Sequence, residues 1–140
     1  MIEFTIPGVP VGKGRPRATK RGKNIALYTP AKTVSYEGVV ALAGQRAMAG
    51  RPPSTGPMGA SMDIFLPVLA SWSKKRQQAA LLGQELPAKK PDMDNVIKAI
   101  FDALNGIVWI DDVQVTDMGR VRKRYSLTPG VTLKIWEVRS

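Results

Sequence analysis

Ile2, Phe4 and Ile6 alternate with polar residues and stop at Pro7, a period-two pattern that predicts a half-buried strand. Ile25 to Tyr28 is the expected hairpin partner of that strand, across an intervening basic loop. Thr29-Pro30 then offers an N-cap with proline at the first helical position, and Tyr36, Val39, Val40, Ala43 and Ala47 recur at helical spacing until Gly50. The stretch Gly50 to Gly59 is rich in Gly and Pro and reads as a loop, after which Ala60 to Val68 supplies a strand that Pro67 places at an edge or an end. Ser71 to Leu82, stopped by Gly83, predicts a short helix. From Asp94 to Asn105 the residues Ile97, Ile100, Phe101 and Leu104 form one apolar stripe, with Asp94 placed to cap the start and Gly106 to close the end. Ile107 to Ile110, Val113 to Tyr125 and Val131 to Val138 read as strands. The fold class expected is therefore α+β, one small domain over residues 1–140 with helices packed on a mixed sheet. Internal repeats and low-complexity tracts are absent from the sequence.

Composition narrows the chemistry. A chain of 140 residues is the usual size of one domain with one core. Its apolar fraction of 44% and mean hydropathy of -0.12 are those of a soluble globular protein, and no run approaches the roughly 18 apolar residues of a membrane span. The N-terminus lacks a basic segment followed by an apolar one, so a cytoplasmic location is expected by default. Zero cysteines remove disulfides, thiolate nucleophiles and Cys-bound metals. Zero histidines remove Ser-His-Asp hydrolysis and His-bound metal together, leaving carboxylates, lysine or a metal held by oxygen.

The charge is unevenly placed. There are 21 Lys and Arg against 11 Asp and Glu, a net +10 that attracts polyanions, nucleic acid foremost. Lys13, Arg15, Arg17, Lys20, Arg21 and Lys23 crowd a Gly-rich stretch without an acid, which suits gripping phosphates; a solvated hairpin loop is the plainer alternative. Lys74, Lys75 and Arg76 on the short helix serve solvation or DNA contact equally well. Arg120, Arg122 and Arg124 alternate along a strand and so face one way, a row able to track a phosphate backbone. Six of the 11 acids, by contrast, fall between Asp92 and Asp117. Such an acidic island repels itself unless a divalent cation offsets it and bridges to a substrate phosphate.

Within the island, Pro91 fixes the direction from which Asp92 enters its helix, so Asp92 and Asp94 can converge. Magnesium takes oxygen ligands, commonly a few carboxylates with waters and phosphate, which this pair provides when joined by one or both of Asp111 and Asp112. Lys98 lies one turn beyond Asp94, within reach of the same phosphate; an ordinary i,i+4 ion pair is the structural alternative. Asp102 reads as a helix-surface partner of Lys98, Asp117 as a strand or turn residue, and Asp63 as a surface residue. Asp-x-Asp alone is weak, since caps and turns use aspartate freely; the Trp109-Ile110-Asp111-Asp112 turn, the missing histidines and the net charge strengthen it.

Taken together, Pro91-Asp92-Met93-Asp94-Asn95-Val96-Ile97-Lys98-Ala99, Phe101-Asp102-Ala103-Leu104-Asn105-Gly106 and Trp109-Ile110-Asp111-Asp112-Val113-Gln114-Val115 resemble the signature of the RusA family of Holliday junction resolvases, in particular its phage-borne members. Weaker similarity covers Gly12-Lys13-Gly14-Arg15-Pro16-Arg17, Tyr28-Thr29-Pro30, Trp72-Ser73-Lys74-Lys75 and Arg122-Lys123-Arg124. The resemblance implies Asp92, Asp94 and Asp112 as metal-binding carboxylates with Asp111 in support, and Lys98 as the catalytic lysine. It further implies a homodimeric α+β fold, magnesium with manganese able to substitute, and paired nicks in four-way DNA junctions that leave 5′ phosphates. A non-catalytic DNA-binding descendant of such a nuclease is the alternative. A phosphotransferase is disfavoured, because Gly12-Lys13-Gly14 lacks the spacing of a phosphate-binding loop.

Overall fold

The computed structural model describes residues 1–14, 17–21, 24–28 and 30–139, and for 17–21 and 24–28 it gives the course of the backbone alone. In chain order the elements are β1 (Ile2–Pro7), β2 (Arg17–Arg21), β3 (Asn24–Tyr28), α1 (Ala31–Met48), β4 (Met58–Pro67), α2 (Lys74–Leu81), α3 (Met93–Leu104), β5 (Val115–Ser126) and β6 (Gly130–Glu137), with a 3-10 turn at Asp112–Gln114. Four strands form a mixed sheet in the order β1-β6-β4-β5, in which only β4 and β5 run parallel, and β2 and β3 form a separate hairpin. A mixed α+β domain is thus what the described residues form.

Alternation decides which face of the sheet is buried. Ala60, Met62 and Ile64 of β4 and Val131, Leu133 and Ile135 of β6 turn to the side covered by α1 and α3, where Ile6, Val40, Val96, Ile100 and Leu104 complete the core, while Leu66 packs separately with Ala80 of α2 and Tyr125 of β5. α1 reaches this core through Tyr36, Val40, Gly44 and Met48, a strict four-residue line. Val39, expected inside, is 40% exposed. Gly44 belongs to the line because a side chain there would collide with Leu104: a Cβ would lie 2.6 Å from its Cδ2. Close approach of two helices at a glycine is invisible to a pattern that counts only apolar residues.

The opposite face is open and half-exposed. Trp136 of β6 lies across its neighbour β4, so near to Gly59 that a Cβ there would overlap the indole, with the ring edge also close to Gly119 of β5. Arg120 and Arg122 of β5 share this face with Asp63 of β4, which is in register with Arg122.

Several expectations change. β1 pairs with β6 along its whole length, Ile2 opposite Ile135 to Pro7 opposite Gly130, and β3 pairs with β2; the expected hairpin between β1 and residues 25–28 does not form. The reason is that Ile6 has to enter the main core, and β6 brings three core residues to the same level. Pro67 ends β4, but that strand is internal, between β6 and β5. Residues 107–110 make only isolated bridges, Trp109 to Ser54 and to Asn105, because Val108 and Trp109 are both buried while Ile110 is out in solvent. The first helix takes Pro30 as its N-cap residue, and Thr29 lies outside the described residues. α3 starts one residue ahead of expectation, with Asp92, in extended conformation, at the cap position and Asp94 inside the first turn. Among the described residues, no helix is long and apolar enough to cross a membrane.

Candidate functional site

Two elements build the site. α3 presents Asp94, Lys98 and Asp102 at four-residue spacing beside its buried stripe of Val96, Ala99, Ile100 and Leu104, so the three polar side chains line one flank. The other element is the 3-10 turn after Trp109. Trp109 is fully buried, packs edge-to-face on Phe101 at 5.0 Å between centroids, and donates its Nε1 proton to Asn105 Oδ1 at 2.8 Å. This fixes where the following residues emerge. Asp111 then caps the turn, its Oδ1 accepting the Val113 N–H at 3.0 Å.

Gln114 holds the turn in place with all four hydrogen bonds of its amide. Its Oε1 accepts the N–H groups of Ile110 and Asp111 at 2.9 and 3.0 Å, and its Nε2 donates to the carbonyls of Ser54 and Gly56, each at 2.9 Å. Asp112 is thereby brought against α3, with Oδ2 3.6 Å from Lys98 Nζ. Lys98 also donates to Asp102 Oδ1 at 2.8 Å. The other Asp102 oxygen lies 3.4 Å from Lys13 Nζ, which itself donates to Glu37 Oε1 at 2.6 Å. Charges therefore alternate in sign from Glu37 through Lys13, Asp102 and Lys98 to Asp112.

The ionisation of these groups follows from their neighbours. Hydrogen bonding to Asp102 raises the Lys98 ammonium above the ordinary lysine value, and Glu37 does the same to Lys13. The Val113 N–H draws Asp111 below the usual carboxylate range, while burial, reinforced by the adjacent Asp111, pushes Asp112 above it. Asp111 and Asp112 thus share charge unequally, and the anion of Asp112 is the one in want of a cation.

Asp92 and Asp94 are exposed at the N-terminus of α3. Among the described residues, Asp92 makes no side-chain capping bond, and Asp94 Oδ1 accepts only the N–H of Asn95, at 3.0 Å. Oxygen donors of this kind suit a hard cation such as magnesium, and the disfavoured anion of Asp112 fits the same need. Among the described residues, however, no three carboxylates converge closely enough to enclose an ion. The structure brings together Lys98, Asp102, Asp111 and Asp112; it leaves Asp92 and Asp94 on the neighbouring turn of the same helix.

The basic residues divide. Arg15 lies outside the described residues, as do the side chains of Arg17, Lys20 and Arg21, whose backbone forms β2. Lys13, just before them, turns inward to Glu37 and Asp102. On α2, Lys74 and Lys75 are exposed, whereas Arg76 holds both oxygens of Glu85, at 3.0 and 3.2 Å, and stacks 3.7 Å above Trp72. Arg122 donates to Asp63 at 2.6 Å and Arg120 lies 3.8 Å from the same oxygen, so Asp63 is a half-buried counter-ion and not a bare surface residue. Arg124 follows on the same face two residues further along β5.

Three contributors escaped the sequence reading. Gln114 closes an Asp-x-x-Gln capping box, a signal present in Asp111-Asp112-Val113-Gln114. Glu37 gave no signal, because its partner is 24 residues away. Lys123, whose Nζ donates to the Lys89 carbonyl at 2.6 Å, secures the segment that leads to Asp92 and was equally hidden.

The chain that folds into this four-stranded mixed sheet, with an aspartate-lysine flank on its last helix, belongs to the RusA endodeoxyribonuclease family, whose sequence profile, described as Endodeoxyribonuclease RusA, matches residues 7–136. It is also 39% identical, over 141 residues, to the uncharacterized protein YqaN of Bacillus subtilis (strain 168); the match covers 98% of this chain and 96% of that one.

Proposed function

We propose that this chain is a magnesium-dependent endonuclease that resolves four-way DNA junctions, with Asp92, Asp94 and Asp112 as metal ligands, Asp111 supporting Asp112, and Lys98 as the catalytic lysine. The observation that carries this reading is the placement of Lys98 against Asp112, on the flank of α3 that also presents Asp94. Membership of an endodeoxyribonuclease family supports it. Magnesium, or manganese in its stead, would acidify an attacking water and neutralise charge on the scissile phosphate. The protein's own part is to hold that phosphate. The Lys98 ammonium, kept protonated by Asp102, donates to a non-bridging oxygen where negative charge grows during attack. Asp112 anchors the Lys98 side chain from across the site, and Gln114 keeps Asp112 from drifting.

DNA would be gripped by the basic segment that begins at Lys13 and contains Arg15, Arg17, Lys20 and Arg21. Lys74, Lys75 and Arg76 on α2 and the row Arg120, Arg122 and Arg124 on the open sheet face would extend the grip. A homodimer in the cytoplasm, presenting two equivalent sites to two opposed strands, would give the paired nicks with 5′ phosphates that resolution requires.

Nicking of a synthetic four-way junction, with and without magnesium, tests the reading. The wild type is expected to give metal-dependent paired nicks, and Asp94→Asn and Asp112→Asn to lose at least about 100-fold in rate while still binding the junction. Equal cutting by wild type and Asp94→Asn overturns the site, and junction binding without any metal-dependent product overturns the enzyme.

A further inference from the structure

Resting on that reading of Lys98, we propose that Asp102 is a positioning residue that divides its two carboxylate oxygens between the catalytic lysine and the root of the basic segment, with Lys13 and Glu37 holding it there. Asp102 Oδ1 accepts from Lys98 Nζ at 2.8 Å, and Oδ2 faces Lys13 Nζ at 3.4 Å. The Lys98 side chain is 57% exposed, that of Asp102 only 22%. The ammonium is therefore a tip in solvent held from a half-buried base. Lysine has four rotatable bonds, so without a fixed acceptor its charge would spread over many rotamers. Asp102 on one side and Asp112 on the other confine it to one place, where a phosphate can meet it.

An isolated surface pair of this kind contributes little. This one is part of a packed junction. The Lys13 N–H donates to the Asn95 carbonyl at 2.8 Å, and the Gly14 N–H donates to Thr33 Oγ1 at 3.1 Å, so residues 13 and 14 are pinned to the starts of α3 and α1. At Gly12 a Cβ would come within 3.1 Å of the Asn95 Cβ, a close approach of the same segment to α3. Glu37 then takes the Lys13 ammonium at 2.6 Å from α1. Lys13, the first residue of the basic segment, is thereby tied to the same carboxylate that holds Lys98.

The test uses full-length Asp102→Asn, Asp102→Glu, Lys13→Met and Glu37→Gln, with circular dichroism to confirm folding. Two readouts are taken: modification of Lys98 by reductive methylation, relative to Lys89 and Lys90, in metal-free protein; and single-turnover nicking of a four-way junction in magnesium, with the junction Kd measured separately in calcium. Asp102→Asn is expected to raise Lys98 modification several-fold and to slow nicking about tenfold with Kd within about twofold. Asp102→Glu should recover part of the rate, and Lys13→Met and Glu37→Gln should move Lys98 modification in the same direction by less. Unchanged Lys98 modification in Asp102→Asn overturns the contact. Changed modification with a wild-type nicking rate overturns the positioning role while leaving the nuclease reading intact. A wild type that cuts no junction overturns that reading and this role with it.

Discussion

The hydroxyl of Tyr36 is buried in the core and, among the described residues, meets no hydrogen-bond partner. Burial alone pushes its ionisation well above that of an ordinary phenol. Two consequences follow. Removing the unsatisfied oxygen as Tyr36→Phe should raise stability by about 1 kcal/mol at neutral pH, measured by denaturant melts. Because the folded state holds the proton more tightly than the unfolded one, the difference is constant below about pH 10 and the wild type should lose stability above it, a component absent from Tyr36→Phe. A Tyr36→Phe protein less stable than wild type would show that the hydroxyl has a partner. At this scale the pairing of Asp102 with Lys98 was legible, whereas Asp92 and Asp94, expected to converge with Asp111 or Asp112, stay on the neighbouring turn of α3. The second neighbour of Asp102 was not legible, because Lys13 is joined to it only through the fold.

Helices and internal strands were readable where their inward residues are apolar and evenly spaced, as in α3 and β6. They were not where packing uses other means. Gly44 brings α1 onto Leu104 without an apolar side chain, and residues 107–110, apolar in succession, form an irregular segment that sends only Val108 and Trp109 fully into the core. The turn after that segment depends on Gln114, whose amide joins it to Ser54 and Gly56 across a separation of about 60 residues. Gln114→Ala should therefore lower stability by about 1–3 kcal/mol, read by thermal melting. If Asp112 holds magnesium as proposed, the variant should also raise the magnesium concentration needed for half-maximal nicking, since Asp112 is no longer held. A variant with unchanged metal dependence would place the anchoring of Asp112 elsewhere.

For the whole molecule, the +10 charge forecast an anionic partner, but not how the cations would be arranged. Asp63 neutralises part of the row on β5 by taking Arg122 and Arg120, which leaves Arg124 beyond that counter-ion. If the open sheet face follows a DNA backbone, Arg124→Ala should weaken junction binding and reduce the slope of log K against log salt by about one, and Arg122→Ala should reduce it by less. Equal slopes for wild type and Arg124→Ala would remove that face from the interface. The strand order was the least legible feature, because partners such as β1 and β6 are chosen by a shared core and not by proximity in sequence. It also sets a timetable. β6 stands between β1 and β4, which do not pair with each other, so the sheet has a gap in its middle until residues 130–137 are present. A nascent chain can make its helices early, but it cannot close its sheet until nearly the last of these residues has left the ribosome. A nuclease built this way cannot complete its sheet before residues 130–137 have been made.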